Sequence, residues 1–382
     1  MFGAVVKQVW LYPLNKLDSK AAQMVREIST SLVKQTQQFL EIFHIMQMRS
    51  NDHIKTKVYD YFPGYQYQLS QFREMISEFI VDFMKQIAAI LPQIRGGGLE
   101  EEKLAELLRS VHQSPFNEGS LSKWLDAKET EIKVLSQYID IIMDKAPGIT
   151  FAFAPGDLDS IVNDLNHNHV VSFEFKVATK SDSFLESMFA FLRTQNVSSD
   201  FSAAFPKQWF KNKALMSDVR LKAEQFTSFA QANKDDEDVK FVVTDSSEDD
   251  GIQDDKGALV LHYEFGSPEE FEPPDQPSKP TAAHVTHKSV QLEWKQPQYG
   301  VQSIKSYTVL YRYTDDPGDW KTQKTKQAET AITINQLVPQ GEYVFKVRAE
   351  CNFGSSEESK VCLLYTSPSP RDRTRSRMPS SA

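Results

Sequence analysis

The run Leu337-Val-Pro-Gln-Gly-Glu-Tyr343-Val-Phe345-Lys-Val347-Arg-Ala349-Glu-Cys-Asn352-Phe-Gly354 constrains the fold of this chain more than any other. Tyr343, Phe345, Val347 and Ala349 alternate with Val344, Lys346, Arg348 and Glu350. A period of two predicts a strand with one buried face. Leu337 and Tyr343 flank the turn Val-Pro-Gln-Gly, which places the Tyr343 phenol to bond back to the upstream backbone. Asn352-Phe-Gly354 then offers residues that tolerate positive φ in a tight turn.

Upstream, Val290-Gln-Leu292-Glu-Trp294 alternates and ends on a core-filling tryptophan, and Tyr307-Thr-Val309-Leu-Tyr311-Arg-Tyr313 supplies another strand. Pro273, Pro274, Pro277 and Pro280 predict a stiff linker before them. Residues 275 to 360 resemble a fibronectin type III domain on these landmarks. The adhesion tripeptide Arg-Gly-Asp is missing, so the resemblance does not imply integrin binding. It implies a sandwich that spaces or binds, and no catalytic motif of comparable strength stands elsewhere.

The C-terminal end reads differently. Cys362-Leu-Leu-Tyr-Thr-Ser-Pro-Ser-Pro-Arg-Asp372 and Arg377-Met-Pro-Ser-Ser-Ala382 resemble, in one frame and in order, a translated sequencing-library adapter. Residues 362–382 are therefore expected to be an artefact and are set apart from fold reasoning. Arg371, Arg373, Arg375 and Arg377 then signify no nucleic-acid patch. Leu363-Leu-Tyr365 is expected to take the position of the last sandwich strand, so that the closing edge of the domain is borrowed.

The formal charge is -9, and it is more acidic still without those four arginines, which disfavours nucleic acid as a partner. Of the two cysteines only Cys351 lies outside the tail, so no internal disulfide framework forms, and a reducing compartment suits the chain. Residues 1–14 are apolar but lack a basic start and a cleavage site, and no run has the length of a membrane helix, which predicts a cytoplasmic location. The sequon Asn196-Val-Ser198 is then expected to stay unglycosylated.

Residues 15–146 predict an antiparallel helical bundle. Asp18 or Ser19 can cap a first helix, along which Val25, Ile28, Leu32, Gln35, Phe39, Ile42 and Met46 fall at a/d spacing. Leu69, Phe72, Ile76, Phe79, Phe83, Gln86 and Ile90 repeat the pattern. A third helix lies around Leu104, Leu107, Leu108 and Val111, and a fourth carries Leu121, Trp124, Leu125, Lys128, Ile132, Leu135, Ile139 and Ile142. Pro63, Pro92 and Pro115 punctuate them. Gly96-Gly97-Gly98 lacks the Lys-Ser/Thr and the strand of a phosphate loop, so a hinge or turn is expected.

Residues 147–268 read β-α-β-α-α-β-β: strands at 149–153, 171–177, 239–243 and 258–263, and helices from Asp157, around Phe184 to Leu192, and from Lys213 to Ala232. That order suits a mixed sheet of thioredoxin-like type. The segment has no cysteine, which removes redox chemistry. His167-Asn-His169 lacks further clustered ligands and is read as loop histidines entering a strand. Asp235-Asp-Glu-Asp238 and the acidic stretch from Ser246 to Asp255 lack calcium-loop spacing and read as solvated loops.

Trp10-Leu-Tyr-Pro-Leu14, Leu17-Asp-Ser19, Val25-Arg-Glu-Ile28-Ser, Met48-Arg-Ser-Asn-Asp52, Leu91-Pro-Gln-Ile-Arg-Gly-Gly-Gly98, Gln113-Ser-Pro-Phe-Asn117 and Val170-Val-Ser-Phe-Glu174 resemble, in order, landmarks of the stonustoxin-like family of fish proteins. The resemblance implies a perforin-like domain, a helical bundle like a focal-adhesion-targeting domain, and a redox-dead thioredoxin-like domain. Here residues 1–14 resemble only the last segment of the perforin-like domain, and a fibronectin type III domain replaces the terminal sandwich of the toxins.

The expected architecture is multidomain α+β: a remnant at 1–14, the bundle at 15–146, a thioredoxin-like α/β domain at 147–268, a linker at 269–278 and a fibronectin type III β-sandwich at 279–361. The expected role is a non-catalytic fragment of a stonustoxin-like protein, giving structural support and binding protein partners, with the parent acting in perforin-like membrane attack. No catalytic, cofactor or metal residue is assigned, and membrane contact is expected only through the missing N-terminal domain. The alternative is an intracellular scaffold that uses the bundle and the sandwich to bind proteins, and extracellular release is the expectation if the parent is toxin-like.

Overall fold

The computed structural model describes residues 28–54, 61–154, 156–177, 182–194, 205, 208–245, 256–315 and 318–368. The segment 1–14 read as a remnant, the candidate caps Asp18 and Ser19, Val25, the sequon at Asn196, the acidic stretch from Ser246 to Asp255 and the arginines of the tail lie outside them. Two compact units emerge. One holds described residues up to Ile132 and those between Lys180 and Gln208; the other holds those from Lys133 to Thr179 and from Trp209 onward.

The first unit is helical: α1 (Thr30–Ile54), α2 (Pro63–Arg95), α3 (Glu102–His112), α4 (Glu118–Lys145) through Ile132, and α6 (Ser183–Thr194). Pro63 opens α2, where its missing N–H costs nothing. Pro92 does not end that helix as its type suggests but lies within the last turn, three residues before Arg95. Ser114-Pro-Phe-Asn117 separates α3 from α4, and the Asn117 side chain accepts from the Ser120 amide to start the new helix.

The core of this unit is aromatic. Phe79 stacks on Phe116 at 4.2 Å, Phe72 on Trp124 at 4.5 Å, and Phe43 meets Phe79 edge-on at 5.3 Å. Along α2 the buried positions run Leu69, Phe72, Ile76, Phe79, Phe83, Ile87 and Ile94, not on to Gln86 and Ile90. In α1 they are Phe39, Phe43 and Met46, with Ile42 only half-buried. A straight α-helix turns every 3.6 residues, so a strict heptad drifts off the core face within a few turns. Helix α6 lies between two strands in sequence, yet its Phe191 packs on Phe79 and Phe116.

The second unit opens with the end of α4, whose Tyr138 donates to the Met216 carbonyl at 3.1 Å. Its sheet has the order β1-β3-β2-β4-β5, with β1 (Thr150–Phe151), β2 (His169–Phe175), β3 (Val239–Asp245), β4 (Ala258–Glu264) and β5 (Ser267–Glu270). β1 and β2 run parallel to β3, and β4 and β5 are antiparallel, giving the mixed sheet that the element order predicts. Helix α5 (Asp157–Val162) covers the face with Ala152, Val170 and Val242. Helix α7 (Lys213–Ala232) covers the other, where Phe226 and Phe229 meet Phe173 and Phe241. β5 has no sequence signal: Ser-Pro-Glu-Glu is wholly exposed, and Pro268 is tolerated only because the strand is an edge.

The sandwich packs the sheet β10-β7-β6 on the sheet β12-β11-β8-β9. Its strands are β6 (Thr281–Val285), β7 (Val290–Glu293), β8 (Ser306–Tyr313), β9 (Lys321–Lys324), β10 (Ala331–Ile334), β11 (Glu342–Glu350) and β12 (Cys362–Tyr365). Tyr343, Phe345, Val347 and Ala349 enter the core with Trp294 and Tyr307, and Val344, Lys346, Arg348 and Glu350 are only half-buried. The Val338 amide donates to the Tyr343 hydroxyl at 2.9 Å, the backward bond expected of that phenol. β12 pairs with Glu342 to Phe345 of β11, so the segment read as adapter does occupy the closing position. Alternation is enough for that: Cys362 faces the core and Leu363 does not.

Candidate functional site

Residues that could carry chemistry are dispersed. Among the described residues no group of three or more His, Cys, Asp and Glu side chains is placed to hold a metal. His167 and His169 diverge: His167 Nδ1 is 3.0 Å from the Glu237 carbonyl, while His169 turns to His262. The amides of Gly96, Gly97 and Gly98 point at Pro92, Ile94 and Gln93 carbonyls, terminating α2, which leaves them unable to cradle a phosphate. Asp235 to Asp238 form a turn in which Asp236 Oδ1 accepts from the Asp238 amide and Asp238 from Asn168. Cys351 donates to the Gly354 carbonyl at 3.1 Å, and burial pushes its thiol up, away from thiolate chemistry.

Buried charge does occur among the described residues, and in the two clusters below it is paired. In the helical unit Lys128 Nζ lies 3.2 Å from Asp182 and 3.5 Å from Glu131, with Lys128 only 4% exposed. Asp182 also accepts from Trp124 Nε1 at 2.9 Å and from the amides of Phe184 and Leu185, capping α6. The a/d pattern along α4 thus contains a lysine because a carboxylate meets it inside. On the α5 face of the sheet, Glu174 accepts from Tyr263 at 3.0 Å and from Ser172, and lies 3.4 Å from Lys176. Burial, then Glu174, raise the Tyr263 phenol far above its ordinary range.

The most elaborate constellation joins the α/β sheet to the sandwich. Phe353, between β11 and β12, stacks on His262 with centroids 3.8 Å apart and planes at 13°. Phe271, Phe229 and His169 surround it at 5.0, 6.0 and 5.1 Å. Asn233, past the end of α7, brackets the next peptide: its Nδ2 donates to the Ser355 carbonyl at 2.8 Å, and its Oδ1 accepts from the Ser355 amide at 2.8 Å. A Cβ on Gly354 would come within 2.8 Å of Phe229 and 2.9 Å of Asn233, so the close approach requires glycine.

The proline linker belongs to the same joint. Pro273, Pro274, Pro277 and Pro280 are all buried. The Phe271 amide donates to the Val260 carbonyl at 2.9 Å, and the Asp275 amide to the Tyr299 carbonyl at 3.3 Å. A Cβ on Gly300 (φ 68°) would meet the Pro273 carbonyl oxygen, which locks the strap against the sandwich. Its stiffness therefore comes from packing as well as from fixed φ. The tip Asn352-Phe-Gly354 does not use the positive φ expected of it: none of the three residues adopts one, and Gly354 is required by its close approach instead. The signal available beforehand was an aromatic residue at a hairpin tip, where a solvated turn needs none. Nothing in the local sequence marks Asn233 or His262 as its socket.

Residues 38–133 match the stonustoxin helical domain, residues 148–273 the thioredoxin-like SNTX domain and residues 275–362 the fibronectin type III domain. Stonustoxin subunit alpha of Synanceia horrida is 27% identical over 267 residues, covering 69% of this chain and 37% of that protein. Cytolytic toxin-alpha of Scorpaena plumieri is 30% identical over 227 residues, covering 59% and 32%. The chain thus spans about a third of the length of the curated relatives it matches. The solved stonustoxin structure superposes with a TM-score of 0.56 at 18% identity, over 89% of this chain and 65% of that one, and so shares its fold.

Proposed function

Because the chain joins the helical and thioredoxin-like domains of the stonustoxin-like family to a fibronectin type III domain, we propose that it is the non-catalytic supporting and protein-binding part of a stonustoxin-like protein. The complete protein would act in perforin-like membrane attack. The observation that carries this reading is the Phe353 joint, in which stacking, paired Asn233 hydrogen bonds and a packed proline strap hold the sandwich as an arm of the α/β domain. Such an arm presents a binding sheet at a fixed distance and angle. A cysteine-free thioredoxin-like domain supports a mechanical role over a redox one.

The curated relatives are named as toxins, which favours extracellular release over the cytoplasmic alternative. The test is the transcript upstream of Met1. A continuous frame encoding amphipathic insertion hairpins supports membrane attack, and the extended protein should release dye from lipid vesicles where residues 1–382 alone do not. An in-frame stop directly upstream, or equal release by the short chain, contradicts it.

A further inference from the structure

The joint between the sheet and the sandwich is closed by two histidines in contact. His169 opens β2, and His262 lies two residues from its register partner on the antiparallel β4. Nδ1 of His169 and Nε2 of His262 are 3.0 Å apart. One ring must donate and the other accept, so the contact tolerates one proton between the two nitrogens and breaks when both carry one. Phe353 covers His262 on one side, and Phe271 lies 6.1 Å away.

Charged groups approach from the neighbouring strands and loops. β4 supplies Glu264, and β5 places Glu269 opposite His262 in register. The turn before β3 supplies Asp235, Asp236, Glu237 and Asp238, and the sandwich supplies Lys324, Arg348 and Glu350, all lining the groove that His169 borders. Helix α7 contributes the apolar Phe229. Burial and then the neighbouring His169 lower the affinity of His262 for a proton, and Glu264 only partly offsets them, bringing its pKa from 6.5 to about 4.

We propose that the His169–His262 pair makes the docking of the fibronectin type III sandwich acid-labile, so that protonation of the pair expels Phe353 and frees the sandwich from the thioredoxin-like domain. The sign follows from linkage. The docked state holds His262 neutral, whereas the undocked ring titrates near its ordinary value of about 6.5. Docking is therefore fully favoured above about pH 6.5, weakens as the pH falls, and levels off below the docked pKa of about 4. The acidic side chains of the groove stay in place when His262 is replaced, so mutation isolates the histidine contribution.

The experiment is hydrogen exchange of residues 351–356 in the whole chain at pH 7.5 and 4.5, corrected for intrinsic exchange. Protection of the Ser355 amide, which Asn233 holds, should fall at least about tenfold at the lower pH. Amides of α2 should keep theirs. His262→Phe retains the stack and removes the titrating group, so its protection should be nearly independent of pH. His262→Gln serves the same purpose if the phenylalanine variant does not fold. Unchanged protection in the native chain, or an equal loss in the non-titrating variant, overturns the proposal.

Discussion

Asp182 ties α4 to α6 in the helical unit. It binds Lys128 and Trp124 and caps α6 in one buried position. Asp182→Ala leaves the buried Lys128 ammonium with only the longer contact to Glu131, removes the Trp124 acceptor and the α6 cap, and should cost about 3–5 kcal/mol, read from the denaturant midpoint of the helical unit. At the joint, Asn233→Ala leaves both polar groups of Ser355 unpaired and should weaken docking by about 1–3 kcal/mol for each group that water cannot reach. Gly354→Val should act similarly by overpacking against Phe229, by about 1–3 kcal/mol. Exchange rates at residues 351–356 would report both changes, and wild-type rates in either variant would mean that the contacts carry no weight. Single residues were unevenly legible in sequence. The partner of the Tyr343 phenol follows from local spacing, because Val338 lies only five positions before it. The partners of Phe353 and the Asp182 partner of Lys128 do not, because they lie far along the chain.

Elements were more legible than their partners. The strands of period two and the helix from Lys213 to Ala232 follow directly from alternation and spacing. What escaped was whatever lacked periodicity or contradicted it: the polar edge strand β5, the passage of α2 through Pro92, and the drift of the buried face from Ile90 to Ile87. β12 is the element whose meaning differs from its geometry. It pairs along β11, Tyr365 donates to Glu342, and Thr366 bonds Val338 and Gly341. We propose that this segment stands in for a native closing strand. Deleting residues 362–368 should expose the Phe345 edge and lower the urea midpoint of the sandwich. Restoring the sequence read from the native transcript should raise that midpoint above its present value. A midpoint unaffected by the deletion would remove β12 from the fold's energetics.

At the scale of the whole molecule, chain order and packing order differ. Helix α6 is flanked in sequence by strands of the α/β domain, yet its caps and contacts lie among α2 and α4. Sequence periodicity marks α6 as a helix but carries no information on which core receives it, since its apolar face would suit either. The same holds for the joint: proline content predicts a stiff linker, and only the fold reveals that the linker, the Phe353 tip and Asn233 bind the two domains together. The proposed supporting role rests on that rigidity. The most direct test is residual dipolar couplings from amides of the α/β sheet and of the sandwich, measured on the whole chain at pH 7.5. One alignment tensor should fit β2, β3 and β4 together with β8 and β11. Two tensors of different magnitude or orientation would show independent domains and contradict the rigid arm.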